Sequence, residues 1–360
     1  MKKIVSFVAF LMLSVCIFLC GVLYSKLKAS KSLFEAIDQI NTQSKAALEN
    51  DSIFNDQILH AVVSIKIHFK HNEEIKTKHG TGVISKLDKS NGNATIYTCE
   101  HLFIEDGFSI SDIEIFLYGL EFQQCKINAR YVGGSQGFDF ALLYIEDSEI
   151  LRCSNAKSAN FENTYSIGQT VYAAGNAIGK GITVSKGIVS KDAEKTVSDA
   201  TFRMLQTDAV LNFGCSGGAL FSERGEVLGL ICAKEATQGA QGIGYALPSA
   251  ICKIIASKIE TVGRVEMYDP DFLCSLTPYF DYKKATVGVR LTVAQSNDNR
   301  IECGDVLLYA IMNEEIFTFS NLASFGSFLL LCESENAVLA FYRDGKVIEI
   351  FPTEWETTIV

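Results

Sequence analysis

The chain has only 4 prolines and 1 tryptophan in 360 residues, which excludes long Pro-rich linkers with their stiff extended backbone. It also lacks a basic surplus: 32 Lys and Arg stand against 42 Asp and Glu, a formal net charge of −10. A nucleic-acid binder needs that surplus to neutralise phosphates, so this class is set aside. Cys-x-x-Cys pairs are absent as well. Of 11 cysteines, Cys16 and Cys20 fall in an N-terminal apolar run and the rest follow no regular spacing. Neither a zinc framework nor a disulfide scaffold reads out of that pattern, and most of these thiols are expected to serve as small core residues. No metal or nucleotide cofactor is implied. Hydrophobic residues at 48% and charged residues at 21% describe a globular chain long enough for two domains.

From Ile4 to Tyr24 the sequence runs for 21 residues without a charge, preceded by Lys2 and Lys3. About 20 apolar helical residues span a bilayer core, so residues 4–24 are long enough to cross. No Ala-x-Ala-like cleavage site follows, so residues 1–30 are expected to be an uncleaved single-pass membrane anchor, with a signal peptide as the competing reading. Ser32-Leu33-Phe34-Glu35 then has capping-box spacing, and residues 31–56 are expected to form a helical linker.

Beyond residue 57 the texture changes to short β-rich runs separated by Gly, Asn, Asp and Ser, such as Ala61 to Ile67, Thr95 to Thr98 and Ile113 to Leu117. Many short strands at this spacing predict a sandwich or barrel rather than a βαβ fold. A helical pattern over Pro248 to Ile259 closes this region, placing one domain at 57–260 and a second β-rich one at 261–360. In the second, Asp344-Gly345 between two apolar runs predicts a hairpin.

The stretch most informative about chemistry is Phe213-Gly214-Cys215-Ser216-Gly217-Gly218. Glycines flanking a serine let the backbone turn sharply, presenting Oγ while N–H groups converge on one point. Such N–H groups, here those of Gly214 and Ser216, stabilise the oxyanion of acyl transfer. A nucleophilic serine needs a base and the base an orienting acid. His101, just after a strand-like run, is the candidate base. Asp139, between Phe138 and Phe140, is the candidate acid, because a carboxylate in an apolar run is costly to bury without a partner. Asp208 is the rival acid and Cys215 the rival nucleophile. The order His101, Asp139, Ser216 is that of chymotrypsin, not of subtilisin or the α/β-hydrolases.

With these motifs assembled, the chain resembles the HtrA/Deg family of trypsin-fold serine proteases. Gly80-Thr81-Gly82, Thr98-Cys99-Glu100-His101, Asp139-Phe140-Ala141-Leu142-Leu143, Gly175-Asn176-Ala177-Ile178-Gly179, Gly214 to Gly218 and Gly242-Ile243-Gly244-Tyr245-Ala246-Leu247-Pro248 carry the resemblance over about residues 57–255. It implies a mainly β fold: a chymotrypsin-like double β-barrel with the triad His101, Asp139 and Ser216 in the cleft, followed by a PDZ-like α+β domain and preceded by a transmembrane helix. It implies an oxyanion hole at Gly214, Cys215 and Ser216, and a substrate pocket at Val210, Leu211 and Ile243. With no acid there, cleavage after small or medium aliphatic residues is expected. Cys215 stands where the family usually has Asn. The C-terminal block resembles a PDZ domain through Gly304-Asp305-Val306-Leu307 and Arg343-Asp344-Gly345-Lys346, yet nothing near Phe272-Leu273-Cys274 reproduces the usual carboxylate-binding loop.

The resemblance implies a membrane-anchored serine endopeptidase of extracytoplasmic protein quality control or stress signalling, facing the periplasm or a comparable space. It implies a homotrimer, unfolded or membrane-protein polypeptides as substrates, and a C-terminal peptide as ligand of the PDZ-like block. The alternative is a catalytically silent, chaperone-like peptide binder on the same fold.

Overall fold

The computed structural model describes residues 58–120, 125–234, 242–281, 286–332, 337–351 and 356–360. The expected anchor at 4–24 and linker at 31–56 lie outside the described residues, and among those described no helix is long and apolar enough to cross a membrane.

The first sheet contains β1 (Val62–His71), β2 (Glu74–Asp88), β3 (Asn93–Thr98), β4 (Ser109–Leu117), β5 (Ile127–Asn128), β6 (Arg130–Ser135) and β7 (Phe140–Ile145), in the order β5-β4-β1-β2-β3-β7-β6. Its β1 shows why strands form here: Ile65, Ile67 and Phe69 are fully buried and alternate with Lys66, His68 and Lys70, the period of two that gives a pleated strand one apolar face. Beyond the short β5, the Ala129 N–H donates to Ile113 O of β4 at 3.0 Å.

The second sheet contains β8 (Asn160–Phe161), β9 (Thr170–Gly175), β10 (Thr183–Val197), β11 (Ala200–Thr207), β12 (Ala219–Ser222), β13 (Glu226–Lys234) and β14 (Gly244–Pro248), in the order β12-β9-β10-β11-β14-β13-β8. A further β12–β13 pairing closes it into a barrel. Its core cluster includes Val171, Val189, Leu205, Leu220, Leu228 and Ile231. Disregarding the two-residue β5 and β8, each sheet is a six-stranded unit of the trypsin-like kind.

A short helix, α1 (Glu149–Cys153), joins the two barrels. The predicted helix at 248–259 is observed as α2 (Ser249–Val262), burying Ile251, Ile255 and Ile259 on one face. It ends at Gly263, whose φ of 81° is a left-handed cap and whose N–H donates to Ile259 O at 2.9 Å. Its last turn returns to the first barrel, where a Cβ on Gly133 would touch Ile259 and the Gly263 carbonyl.

The C-terminal block holds β15 (Glu266–Tyr268), β16 (Phe272–Asp281), β17 (Thr286–Ser296), β18 (Val306–Met312), β19 (Glu315–Thr318), α3 (Leu322–Leu331), β20 (Ala337–Arg343), β21 (Lys346–Ile350) and β22 (Thr357–Ile359). Its main sheet runs β16-β17-β18-β20-β21 with β19 on β18. Asp344 and Gly345 both have positive φ, forming the expected hairpin turn with Arg343 opposite Lys346. Asn313 and Glu314 turn the β18–β19 hairpin in the same way. The helix α3 approaches β11 so closely that a Cβ on Gly326 would overlap the Thr201 carbonyl. The β22 strand pairs with β15 and brings Val360 against Gly137, two residues before Asp139.

Candidate active site

His101 sits on a single 3-10 turn, Glu100–Phe103, directly after β3, where buried Leu102 and Phe103 anchor the turn and leave the imidazole half-exposed. Asp139 occupies the β6–β7 turn between the fully buried Phe138 and Phe140. The Phe138 ring packs edge-on against Phe202 of the second barrel, centroids 4.7 Å apart. These neighbours hold Asp139 at φ 57°, a left-handed conformation that Asp tolerates better than most residues. Its carboxylate is thereby aimed at His101: the His101 backbone N–H donates to Oδ1 at 2.9 Å, and Nδ1 lies 2.9 Å from Oδ1 and 2.8 Å from Oδ2. With Nδ1 as donor, Nε2 is left as the acceptor, the tautomer a general base requires.

Ser216 lies on the turn between β11 and β12, and the turn is clasped by both barrels. The Thr81 N–H donates to Ser216 O at 2.9 Å, and Thr81 Oγ1 donates to Gly214 O at 2.6 Å. That hydroxyl in turn accepts from the Asn176 N–H at 2.8 Å, while Thr98 Oγ1 donates to Thr81 O at 2.7 Å. From the other side, Gly217 N–H donates to Ile231 O and Ile178 N–H to Phe213 O. Such close approach explains two of the glycines. Gly214 and Gly217 have φ of 91° and 83°, and a Cβ on either would overlap a carbonyl oxygen, that of Asn176 or of Thr81.

Within this turn the Cys215 N–H is already committed to Asn212 O at 3.0 Å. The N–H groups of Gly214 and Ser216 meet no acceptor among the described residues. Of the predicted oxyanion residues, then, Gly214 and Ser216 keep a donor to offer and Cys215 does not. Its side chain joins the second barrel's core. Ser216 Oγ donates to Cys232 O at 3.4 Å, and no hydrogen bond joins it to His101 among the described residues. The structure brings His101 to Asp139 and leaves the Ser216 hydroxyl on Cys232 O.

Glu100, beside His101, is buried and accepts from Tyr131 Oη at 3.0 and 2.9 Å. Burial pushes its carboxyl up to about 7, with the nearby Asp139 charge adding to the effect. The same burial and the facing Glu100 raise the Tyr131 phenol. Cys99, fully buried, has its thiol pushed well up by desolvation, so it is no nucleophile.

The predicted pocket residues part company. Val210 is 65% exposed, whereas Leu211 is packed into the barrel core, where its Cδ1 blocks the space beside Gly244. Leu211 is thus held by core packing, with 9% of its surface exposed. Ile243 is half-buried at the entry to β14. The rival acid Asp208 instead accepts from the Ile188 N–H at 2.7 Å, a loop-supporting role. Sequence reasoning missed Thr81, whose only signal was its place between Gly80 and Gly82. It also missed the exposed Ile178 and Phe213, at 63% and 79%, which lie beside the Ser216 turn.

Residues 80–230 match the trypsin-like peptidase domain family. The Do-like serine protease HtrA of Bacillus subtilis is 34% identical over 203 residues, covering 54% of this chain and 42% of that relative. The periplasmic serine endoprotease DegP of Escherichia coli is 30% identical over 189 residues, covering 52% of this chain and 37% of its own length. The chain therefore spans less than half the length of these curated relatives. A serine endoprotease from Yersinia pestis superposes with a TM-score of 0.54 at 23% identity, over 86% of this chain and 99% of that one. The HtrA-type protease AlgW with decapeptide superposes with a TM-score of 0.59 at 19% identity, over 85% and 97%. At these identities the superpositions speak for the fold alone, and the sequence matches say that residues 80–230 carry a trypsin-like peptidase domain and that about half of the chain is similar to serine proteases of the HtrA/Deg kind.

Proposed function

We propose that the chain is a serine endopeptidase working through His101, Asp139 and Ser216. The observation that carries this reading is the doubly anchored His101–Asp139 pair beside a turn whose Gly214 and Ser216 N–H groups meet no acceptor among the described residues. In the reaction, Ser216 Oγ attacks the scissile carbonyl as His101 Nε2 takes its proton. Asp139 holds the imidazolium, and the Gly214 and Ser216 N–H groups receive the oxyanion. His101 then returns the proton to the leaving amine, and water repeats the sequence on the acyl-enzyme.

Polypeptide is the substrate class, cleaved after small or medium aliphatic residues. The apolar, exposed Val210, Phe213 and Ile178 around the turn support that preference. Residues 57–260 form the protease and residues 261–360 a PDZ-like domain, a fold that in other proteins takes an extended C-terminal peptide by strand addition, although the usual carboxylate-binding loop is not reproduced near Phe272-Leu273-Cys274. The AlgW structures with a tripeptide and a decapeptide support peptide recognition. Residues 4–24 anchor the chain, with the body in an extracytoplasmic space, as the periplasmic setting in the name of DegP supports. A homotrimer acting in protein quality control or stress signalling completes the reading.

The test is active-site labelling of the full chain with a fluorophosphonate, alongside cleavage of unfolded casein. Labelling and cleavage in the wild type, both lost in Ser216→Ala and retained in Cys215→Ala, are expected. Casein bound but uncleaved, with no labelling in any variant, would favour a silent peptide-binding protein.

A further inference from the structure

Beneath the proposed acid lies a cluster that the peptidase mechanism does not use. Cys99 Sγ, Cys232 Sγ and a carboxylate oxygen of Asp139 all lie within 4.8 Å of one another. The three arrive from separate parts of the fold: Cys99 from the residue before the His101 turn, Cys232 from β13, and Asp139 from the β6–β7 turn. Cys99 is fully buried and Cys232 is 4% exposed, whereas Asp139 keeps 18% of its side chain open to solvent.

We propose that Cys99, Cys232 and Asp139 form a binding site for a soft divalent cation of the zinc class, and that the cation silences the peptidase by taking the carboxylate on which His101 depends. The donor set fits. Two thiolates and one carboxylate suit a borderline-soft, tetrahedral ion far better than calcium or magnesium, which take oxygen. Zinc–sulfur and zinc–oxygen bonds of about 2.3 and 2.0–2.2 Å place donors roughly 3.3–3.8 Å apart, so a contraction of about 1 Å closes the cluster. A water entering beside Asp139 supplies the fourth ligand.

Ordinary core packing accounts for each thiol singly, since Cys99 Sγ donates to Ile231 O at 3.2 Å and Cys232 Sγ to Leu230 O at 3.3 Å. It does not account for both sulfurs converging on a carboxylate. On coordination each sulfur releases its proton to solvent and gives up its carbonyl. Ile231 O is still satisfied, because it also accepts from Gly217 N–H at 2.8 Å. The cation then neutralises the charge that both His101 donors face, and the imidazolium formed during acyl transfer loses its counter-ion.

The consequence rests on the serine-protease reading; the binding step does not. The experiment therefore reads both on the full chain after chelator treatment. Co2+ titration is followed by the sulfur-to-cobalt charge-transfer absorption, and Zn2+ titration by casein cleavage, each variant being referred to its own metal-free activity. Wild type should develop the absorption and lose activity by about tenfold or more, in keeping with the weight of the acid in such triads, with recovery on adding EDTA. Cys99→Ala and Cys232→Ala should lose both the absorption and the inhibition, and Cys99→Ser, which keeps the volume, serves if the alanine variant does not fold. Absence of the absorption in wild type, or absorption and inhibition that persist in the Cys99 variants, would overturn the site. A wild type that binds Co2+ through the cysteines yet never cleaves casein would instead count against the peptidase reading alone.

Discussion

Thr81 Oγ1 donates to Gly214 O at 2.6 Å across the seam between the barrels. With the Thr81 N–H on Ser216 O, this residue of β2 holds the turn that carries Ser216 at two points. Thr81→Val keeps the shape but removes the hydroxyl, leaving Gly214 O and the Asn176 N–H unpaired in a buried place. A loss of about 1–3 kcal/mol for each such group is the expected scale. Urea unfolding should show the destabilisation, and kcat on a peptide substrate should fall more than KM rises, because the oxyanion donors lose their register.

Gly217→Ala should be more damaging than an ordinary surface substitution. Its φ of 83° and the overlap of a new Cβ with the Thr81 carbonyl act together. Backbone strain of about 1–3 kcal/mol and overpacking of a further ~1–3 kcal/mol are expected. Thermal unfolding of the variant measures the sum.

Asp139→Asn should leave the fold intact while collapsing catalysis. The amide keeps one acceptor for His101 but donates where the carboxylate accepted, favouring the wrong imidazole tautomer. A drop of about 10^4 in kcat is the scale for this change in a Ser-His-Asp triad. Unchanged unfolding together with unchanged kcat would contradict the role given to Asp139.

Glu100 makes stability depend on pH in a definite direction. Its carboxyl titrates near 7 in the folded protein and at about 4.3 when unfolded. Between those values the native state holds the extra proton, so stability falls as pH rises through about 4.3–7. Glu100→Gln is always neutral and escapes this loss. The melting temperature of Glu100→Gln relative to wild type should therefore be higher at pH 8 than at pH 5; an equal difference at both would show that Glu100 does not titrate as assigned.

Much of this was legible in the linear sequence because local chemistry dictated it. Alternating Ile65, Ile67 and Phe69 with Lys66 and His68 could only be a half-buried strand, and Asp344-Gly345 could only be a tight turn. The Gly-rich frame of Ser216 marked a backbone that no side chain other than hydrogen fits at Gly214 and Gly217. The isolated carboxylate of Asp139 among phenylalanines announced a hydrogen-bonding partner, and His101 is that partner.

Contacts between distant segments were decided only by folding. Leu211 and Val210 are neighbours in the sequence, yet Leu211 packs into the core of the second barrel and Val210 is left exposed. Thr81 carried no motif that announced a clasp on a turn more than a hundred residues away. Cys99 and Cys232, without any metal-binding spacing, meet beside Asp139 because three chain segments converge at the seam between two barrels. Sequence fixes what each residue can donate, accept or bury; the distance between residues far apart in the chain is set by packing alone.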